Sequence, residues 1–385
     1  MRIVIYEEKQ DNFYPLVGLV PQFDLRLGMV TIIGHTRLLF KRAEIDMIAR
    51  PSFGFGRVTP KTATVYLSSR LLLTEGFEIP KSDCLLKVGA ERLGFVKVAA
   101  PFPCAAEEIA EAAASIKDSR QVKGIVLDRL WDLIVHNETL MKLHFKRLPR
   151  KRSTARALHI MGDRRNLHVG RGAEVHRQVF LDLRDGPVYI DRGAVIRPFT
   201  TIVGPSYVGA DTIVERAKIV KSSIGPQCRI GGEVESCIFQ GYSNKYHEGF
   251  IGHSFIGAWV NFGALTTNSD LKNNYGPVRL HIGKSEFDTG QVKLGCFIGD
   301  HTKLGIGTLI PTGAVIGSFV NFARGGMMPN FVRDFRWMST DRELDYDIIK
   351  AVDTARIVMS RRHVKMSVQY EEMIRAFHEQ VCRSD

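Results

Sequence analysis

Twelve histidines, six cysteines and an excess of basic side chains are the residues with chemistry to offer in this chain. The cysteines (84, 104, 228, 237, 296 and 382) form no Cys-x-x-Cys pair and no zinc spacing. They read as small core residues in a reducing cytoplasm, not as metal ligands or a disulfide framework. Histidine, with a pKa near neutrality, suits a general base. Acyl transfer from a thioester to an amine needs little else: a backbone N–H to hold the oxyanion, and fixed groups to position the acceptor. No metal is required. Nucleotidyl transfer demands more, namely a glycine-rich cradle, a cation on the phosphates and acidic magnesium ligands.

The elements that must position such groups change character along the chain. In residues 1–145, Ile3–Tyr6, Thr62–Leu67 and Gly94–Ala99 read as strands, and Glu107–Ile116 and Leu130–Phe145 as helices. Strands interleaved with helices predict an α/β layer. From about 167 glycine becomes frequent and aliphatic residues recur every six positions. Ile190, Ile196, Ile202, Val208, Val214 and Val220 form one ladder; Ile298, Leu304, Ile310 and Ile316, extended by Val292 and Phe322, form another. That period fits neither helix nor ordinary strand and marks a hexapeptide-repeat parallel β-helix, each hexad giving one short strand and one turn. Ile251 to Ile256 is a step one residue short, and residues 268–289 fit no hexad and must leave the coil as a loop.

Four segments follow: an α/β domain over 1–146, a basic linker over 147–166, the β-helix over 167–325 with its loop 268–289, and a helical extension over 326–385. With 385 residues, 44% apolar and 24% charged, the composition excludes wholesale disorder. No apolar stretch approaches the ~20 residues of a membrane span, and MRIVIYEEK turns acidic too soon for a signal peptide. The net charge is +12, and residues 144–165 carry eight Lys or Arg against one Asp. No helix-turn-helix, zinc-finger or RNP pattern accompanies that charge, so phosphate-bearing small molecules account for it better than nucleic acid.

GYSNKYHEGFIGHSFIGAWVNFGALTTNSDLKNNYG (241–276) and TGQVKLGCFIGDHTKLGIGTLIPTG (289–313) resemble the GlmU-like sugar nucleotidyltransferases, relatives of the bifunctional enzyme that acetylates glucosamine-1-phosphate and then uridylylates it. YPLVGLVPQFDLRLG (14–28) and LWDLIVHNETLMKLHF (130–145) match the same group. The resemblance implies a nucleotidyltransferase-like first domain, a left-handed coil and a homotrimer with each site built between subunits. It implies acetyl-CoA as co-substrate and a phosphorylated sugar or sugar nucleotide as acceptor.

Residue by residue, the resemblance puts His247 in the place of the catalytic base and Asn261 in that of a sugar-phosphate ligand. Asn244 and Lys245 join Asn261 as substrate candidates. Ala264, Thr266, Asn268, Lys272 and Tyr275 fall where the coenzyme lies. A family tyrosine is Phe250 here, and Leu265 puts bulk near the coenzyme. Asp300 replaces a serine, where a carboxylate would repel the coenzyme phosphates. His253 and His301 are expected on the coil surface or at a subunit contact.

In the first domain the opening strand runs into YEEKQDNFYPLV with no glycine before Gly18, and FGFG at 53–56 is a lone Gly-x-Gly. The family's magnesium aspartate corresponds best to VYLSSRLLL (65–73), which offers Ser69 and Arg70 instead of an acid. Arg70 can hold a phosphate but cannot ligate magnesium. Asp24 and Arg26 remain as polar candidates, or as an ion pair or turn at a strand end. The expectation is a reduced domain that binds a nucleotide or sugar, with magnesium needed only if nucleotidyl transfer survives. The alternatives to acetyl transfer are that nucleotidyl transfer, or a non-enzymatic sugar-nucleotide-binding or scaffold role.

Overall fold

A computed structural model describes residues 1–149 and 159–383, so the central part of the expected basic linker lies outside the described residues. The chain divides into two compact units, the first holding 1–13, 20–25 and 30–132, the second 14–19, 26–29 and 133–385. The boundary therefore falls earlier than 146. Two short N-terminal segments and nearly all of the helix over Asp132–Arg147 belong with the second unit.

In the first unit β1 (Arg2–Tyr6) lies between β2 (Glu44–Ile48) and β3 (Thr64–Ser68), parallel to both. Strand β4 (Leu71–Leu73) follows at once. The main sheet continues antiparallel through β6 (Glu91–Lys97) to β5 (Cys84–Val88), then to β7 (Ser119–Gln121). Two helices, α1 (Ile32–Leu39) and α2 (Ala106–Ser115), accompany it, and Thr31 caps α1 by accepting from the Gly34 N–H. Val4, Tyr66, Leu85, Phe95 and Ile109 form its core, with the Tyr66 and Phe95 rings stacked at 4.6 Å. Burying such a core supplies ~1.5–3 kcal/mol per large apolar side chain.

The second unit is a left-handed parallel β-helix running from His159 to Met338. Residues one coil apart pair in register, as Ile190 does with Val208 and Phe297 with Val315. The inward ladder forms one continuous core from Leu167 to Met338. Two predicted rungs are corrected. At Val220 the coil shortens, so Ile219 points inward at 0% exposure while Val220 is only partly buried. Val292 is 46% exposed because the insertion runs beyond 289, where Lys293 bridges Leu271. That loop leaves the coil after Asn268 and carries a hairpin, Arg279–Ile282 against Ser285–Asp288.

Three pieces dress the β-helix within its unit. Helix α3 (Asp132–Arg147) clamps the 26–29 segment: Asn137 Oδ1 accepts from the Gly28 N–H at 2.9 Å and His144 Nδ1 from the Met29 N–H at 3.1 Å. Helices α4 (Ile348–Ser360) and α5 (Val368–Arg383) bury Ala351, Val352, Ala355 and Ile374 against Phe319 and Phe335. No described helix is long and apolar enough to cross a membrane. Cys84, Cys228, Cys237 and Cys296 are buried free thiols, Cys104 is partly buried and Cys382 exposed.

Candidate functional site

The coil corners decide where polar side chains point. Along one corner Asp211, Gln227, Tyr242, Trp259, His301, Phe319 and Phe335 all have positive φ. Each lies three positions before an inward residue: Val214, Ile230, Lys245, Phe262, Leu304, Phe322 and Met338. From Tyr242 onward these are aromatic, so their rings stack up the corner. Tyr242 lies 4.2 Å from Trp259, His301 4.8 Å from Phe319, and Phe319 4.9 Å from Phe335. His301 is consequently no surface residue. It is 3% exposed, its Nε2 meets the Tyr370 hydroxyl at 2.9 Å, and burial holds its pKa well below the usual value.

Beside the open end of this stack lies a cleft of about 570 Å³. Tyr242, Tyr246 and Trp259 form its aromatic wall, and Asn244 and Asn261 contribute their amides. Arg229, Lys303, Arg361 and Arg362 line it as well, with no carboxylate among the lining residues. Arg361 and Arg362 follow the last turn of α4, whose apolar stripe fixes them in place. Lys303 Nζ donates to the carbonyls of Trp259 (2.7 Å) and His301 (2.9 Å). Burial pulls its pKa down to about 7, opposed by Asp300. Asp300 itself is 3% exposed and accepts from the Ala258 N–H, and burial pushes its carboxyl up to about 7. This corrects the expectation of a carboxylate facing the coenzyme.

The predicted substrate residues divide. Asn244 and Asn261 occupy paired positions on successive coils, and Asn244 Nδ2 donates to Asn261 Oδ1 at 2.9 Å. Lys245 does not face solvent. It takes an inward rung beneath Ile230, is 2% exposed, and donates to the carbonyls of Gly231 (3.0 Å) and His247 (2.7 Å). Burial lowers its pKa to about 8. It therefore anchors the turn that carries His247. The His247 imidazole is exposed and sits edge-on to Tyr246, ring centroids 6.1 Å apart; Tyr246 lines the cleft, whereas His247 is not among its lining residues.

The predicted coenzyme residues divide too. Thr266 and Asn268 are turned into the coil. Thr266 donates to the Gly305 carbonyl, while Asn268 accepts from the Gly252 N–H at 2.7 Å and donates back to its carbonyl at 3.1 Å. Ala264 is partly exposed, and its carbonyl accepts from the Gly307 N–H. Lys272 lies on the inserted loop and lines a groove of about 690 Å³ with Asn268, Asn274, Leu309, Pro311 and Met327, so Asn268 borders the groove as well as bonding within the coil. Tyr275 is 70% exposed on the same loop. His253, on another corner, meets Asp270 at 2.7 Å.

In the first unit Arg70 is 1% exposed. Its guanidinium donates to Asp128 at 2.5 Å, to Glu8 at 3.0 Å and to the Leu127 carbonyl at 2.8 Å. At the end of β1 the Glu7 carboxylate accepts from the N–H groups of Gln22 (2.7 Å) and Arg50 (2.9 Å). Carboxylates thus satisfy the donors around this strand end. Asp24 is partly buried and desolvation raises its pKa, against the opposing charge of Arg37. Arg26 belongs with the second unit, where it donates to Gln240 and Met29 carbonyls and lies 5.5 Å over the Tyr207 ring. It fastens the 26–29 segment. No group of His, Cys, Asp and Glu among the described residues could hold a metal ion.

Sequence reasoning missed Tyr242, Trp259, Arg229, Lys303, Arg361 and Arg362. The aromatic residues three positions before the rungs at 245, 262, 304, 322 and 338 were the legible signal for the stack. Nothing local marks the arginines after α4 as neighbours of the coil.

The fold is a hexapeptide parallel β-helix with an α/β unit before it in the chain. In sequence about a third of the chain is similar to GlmU-type bifunctional proteins. It is 29% identical over 133 residues, 34% of this chain, to the bifunctional sugar-1-phosphate nucleotidylyltransferase/acetyltransferase of Sulfurisphaera tokodaii. It is 28% identical over 125 residues, 32% of this chain, to the bifunctional protein GlmU of Methanocaldococcus jannaschii. It is 30% identical over 153 residues, 37% of this chain, to that of a Picosynechococcus. The matches span 28%, 26% and 30% of those relatives' own lengths, well under two thirds. No protein-family model matches the chain. The solved UDP-N-acetylglucosamine acyltransferase of Arabidopsis overlays 57% of this chain and 87% of its own, with 12% identity and a TM-score of 0.24.

Proposed function

We propose that this chain is a GlmU-like transferase acting on sugar phosphates or sugar nucleotides, and that it N-acetylates an amino sugar phosphate from acetyl-CoA. One observation carries the reading: an exposed imidazole, His247, sits edge-on to Tyr246, and Tyr246 lines a cleft with four basic residues, a hydrogen-bonded amide pair and no carboxylate among its lining residues. In this reaction the acceptor amine attacks the thioester carbonyl and the coenzyme thiolate leaves as the tetrahedral intermediate collapses. His247 accepts the proton released by the nitrogen. Asn244 and Asn261 hold the sugar, and the cleft's cations hold its phosphate. The groove beside Lys272 takes the acyl donor, with Tyr275 over it and the Ala264 region at the thioester.

The chain works in the cytoplasm as a homotrimer, with no nucleic acid or membrane partner. Phe199, Leu265 and Ile306, at 74, 62 and 73% exposure, are apolar surface for a neighbouring copy to cover. In the first unit the carboxylates of Glu7, Glu8 and Asp128 already engage the donors at the strand ends. That favours a binding or structural role there over nucleotidyl transfer. The test is His247→Ala assayed for coenzyme A release with hexosamine phosphates: turnover falls ~10²–10⁴-fold if His247 is the base. Unchanged turnover removes His247 from the mechanism.

A further inference from the structure

The cleft carries more positive charge and more aromatic surface than a sugar monophosphate requires. Three guanidinium groups line it with no acid among the lining residues, and Tyr242 stands beside them, backed by Trp259. Its volume of about 570 Å³ falls in the range of small-molecule sites, roughly 300–1,000 Å³. Desolvation lowers the pKa of both Arg229 and Arg362, and at Arg362 the neighbouring charges of Arg229 and Arg361 lower it further, a cost that a bound polyanion would relieve. One guanidinium nitrogen of Arg229 is held by the carbonyls of Asp211, Gln227 and Cys228, which fixes the group at the cleft floor. Arg361 is exposed at the opening. The cations thus differ in depth, Arg229 and Arg362 partly buried and Arg361 exposed, an arrangement suited to two linked phosphates.

We propose that this cleft binds a nucleoside diphosphate, its phosphates bridging Arg229, Arg361 and Arg362 and its base lying against Tyr242, the end of the ring stack. The Asn244–Asn261 bond leaves the Asn244 oxygen and the Asn261 nitrogen to read a polar base or sugar edge. Two molecules present this chemistry, a sugar nucleotide and coenzyme A; the position of the cleft beside the amide pair favours the sugar nucleotide as acceptor. As a statement about the acceptor the proposal rests on the acyl-transfer reading, whereas the binding itself does not involve His247.

The test is calorimetric titration of the full chain with UDP, ADP, a UDP-hexosamine, coenzyme A, inorganic pyrophosphate and glucosamine-1-phosphate. Wild type, Arg361→Glu/Arg362→Glu and Tyr242→Leu are compared, with circular dichroism to verify folding. The expected result is that a nucleoside diphosphate binds at least tenfold tighter than pyrophosphate or glucosamine-1-phosphate. The double charge reversal then weakens it at least tenfold, and Tyr242→Leu weakens it several-fold. A UDP-hexosamine losing affinity in the double variant while coenzyme A does not identifies the sugar nucleotide; the reverse identifies the coenzyme. Pyrophosphate binding as tightly as UDP and ADP overturns the nucleoside part. Unaltered affinities in the folded double variant overturn the site. His247→Ala separates the two readings: retained nucleotide binding with lost turnover supports both, and retained binding with unchanged turnover sinks only the base.

Discussion

Lys245 Nζ donates to the main-chain carbonyl of His247 at 2.7 Å from inside the coil, so a buried cation holds the turn that presents an exposed imidazole. The lysine occupies a rung that Ile230 fills one coil earlier and Phe262 one coil later. It spends hydrophobic packing on a polar contact at one place along the ladder. The location, two residues from His247, ties that cost to the candidate site.

Replacing Lys245 by Met is expected to flatten the dependence of stability on pH. Burial has brought its pKa from 10.5 to about 8, so between those values the unfolded chain holds more protons than the folded one. Stability therefore rises with pH across that window, and the contribution is in place above the unfolded pKa. Lys303, brought to about 7, adds a rise of the same sign, whereas Asp300, raised to about 7, titrates below it. Urea unfolding of the wild type should gain on the order of 1 kcal/mol more than the variant between pH 8 and 9.5. Equal gains would show that Lys245 is not held as a buried ammonium.

Gly231 sits where the next coil approaches most closely: a Cβ there would lie 2.0 Å from the Tyr246 carbonyl oxygen. Gly231→Ala must displace the backbone beside His247. A loss of about 1–3 kcal/mol in thermal or urea unfolding is expected, together with lower turnover. Gly56→Ala, where a Cβ meets nothing within 4 Å, should stay within about 0.5 kcal/mol of wild type.

Asn261→Ala removes the acceptor of the Asn244 amide bond at the cleft wall. Since both residues are partly exposed, the fold should lose under about 1 kcal/mol while the acceptor KM rises roughly tenfold. Steady-state kinetics that vary acceptor and acetyl-CoA separately will read this. An unchanged acceptor KM with a raised KM for acetyl-CoA would reassign Asn261 to the donor side.

Ile316→Ala opens a void in the continuous ladder between Ile298 and Val332, where it is 0% exposed. Differential scanning calorimetry should show a loss of about 2–5 kcal/mol. Each coil rests only on its neighbours, so the damage should centre on the C-terminal coils and on α4, which depend on them. Nucleotide affinity at the cleft should fall in parallel.

The β-helix was legible because a hexad repeat admits few foldings: aliphatic residues six apart can share a core only if each hexad turns one corner. Ile190 through Val214 and Ile298 through Phe322 all take the inward place that spacing requires. The pattern failed where the coil changes length, at Val220, and where the insertion runs beyond 289, at Val292, since period alone does not mark a shortened corner. The inward turn of Lys245, Thr266 and Asn268 was hidden for another reason. Polarity suggests the surface, yet backbone carbonyls at neighbouring corners satisfy these groups inside. Glu7 and Arg70 were equally opaque, because their partners at residues 22, 50, 127 and 128 are far away in sequence. The cleft itself belongs to the tertiary structure. Arg361 and Arg362 reach Arg229 and Tyr242 only because the apolar stripe of α4 docks on Phe319 and Phe335, and long-range packing of that kind leaves no local trace.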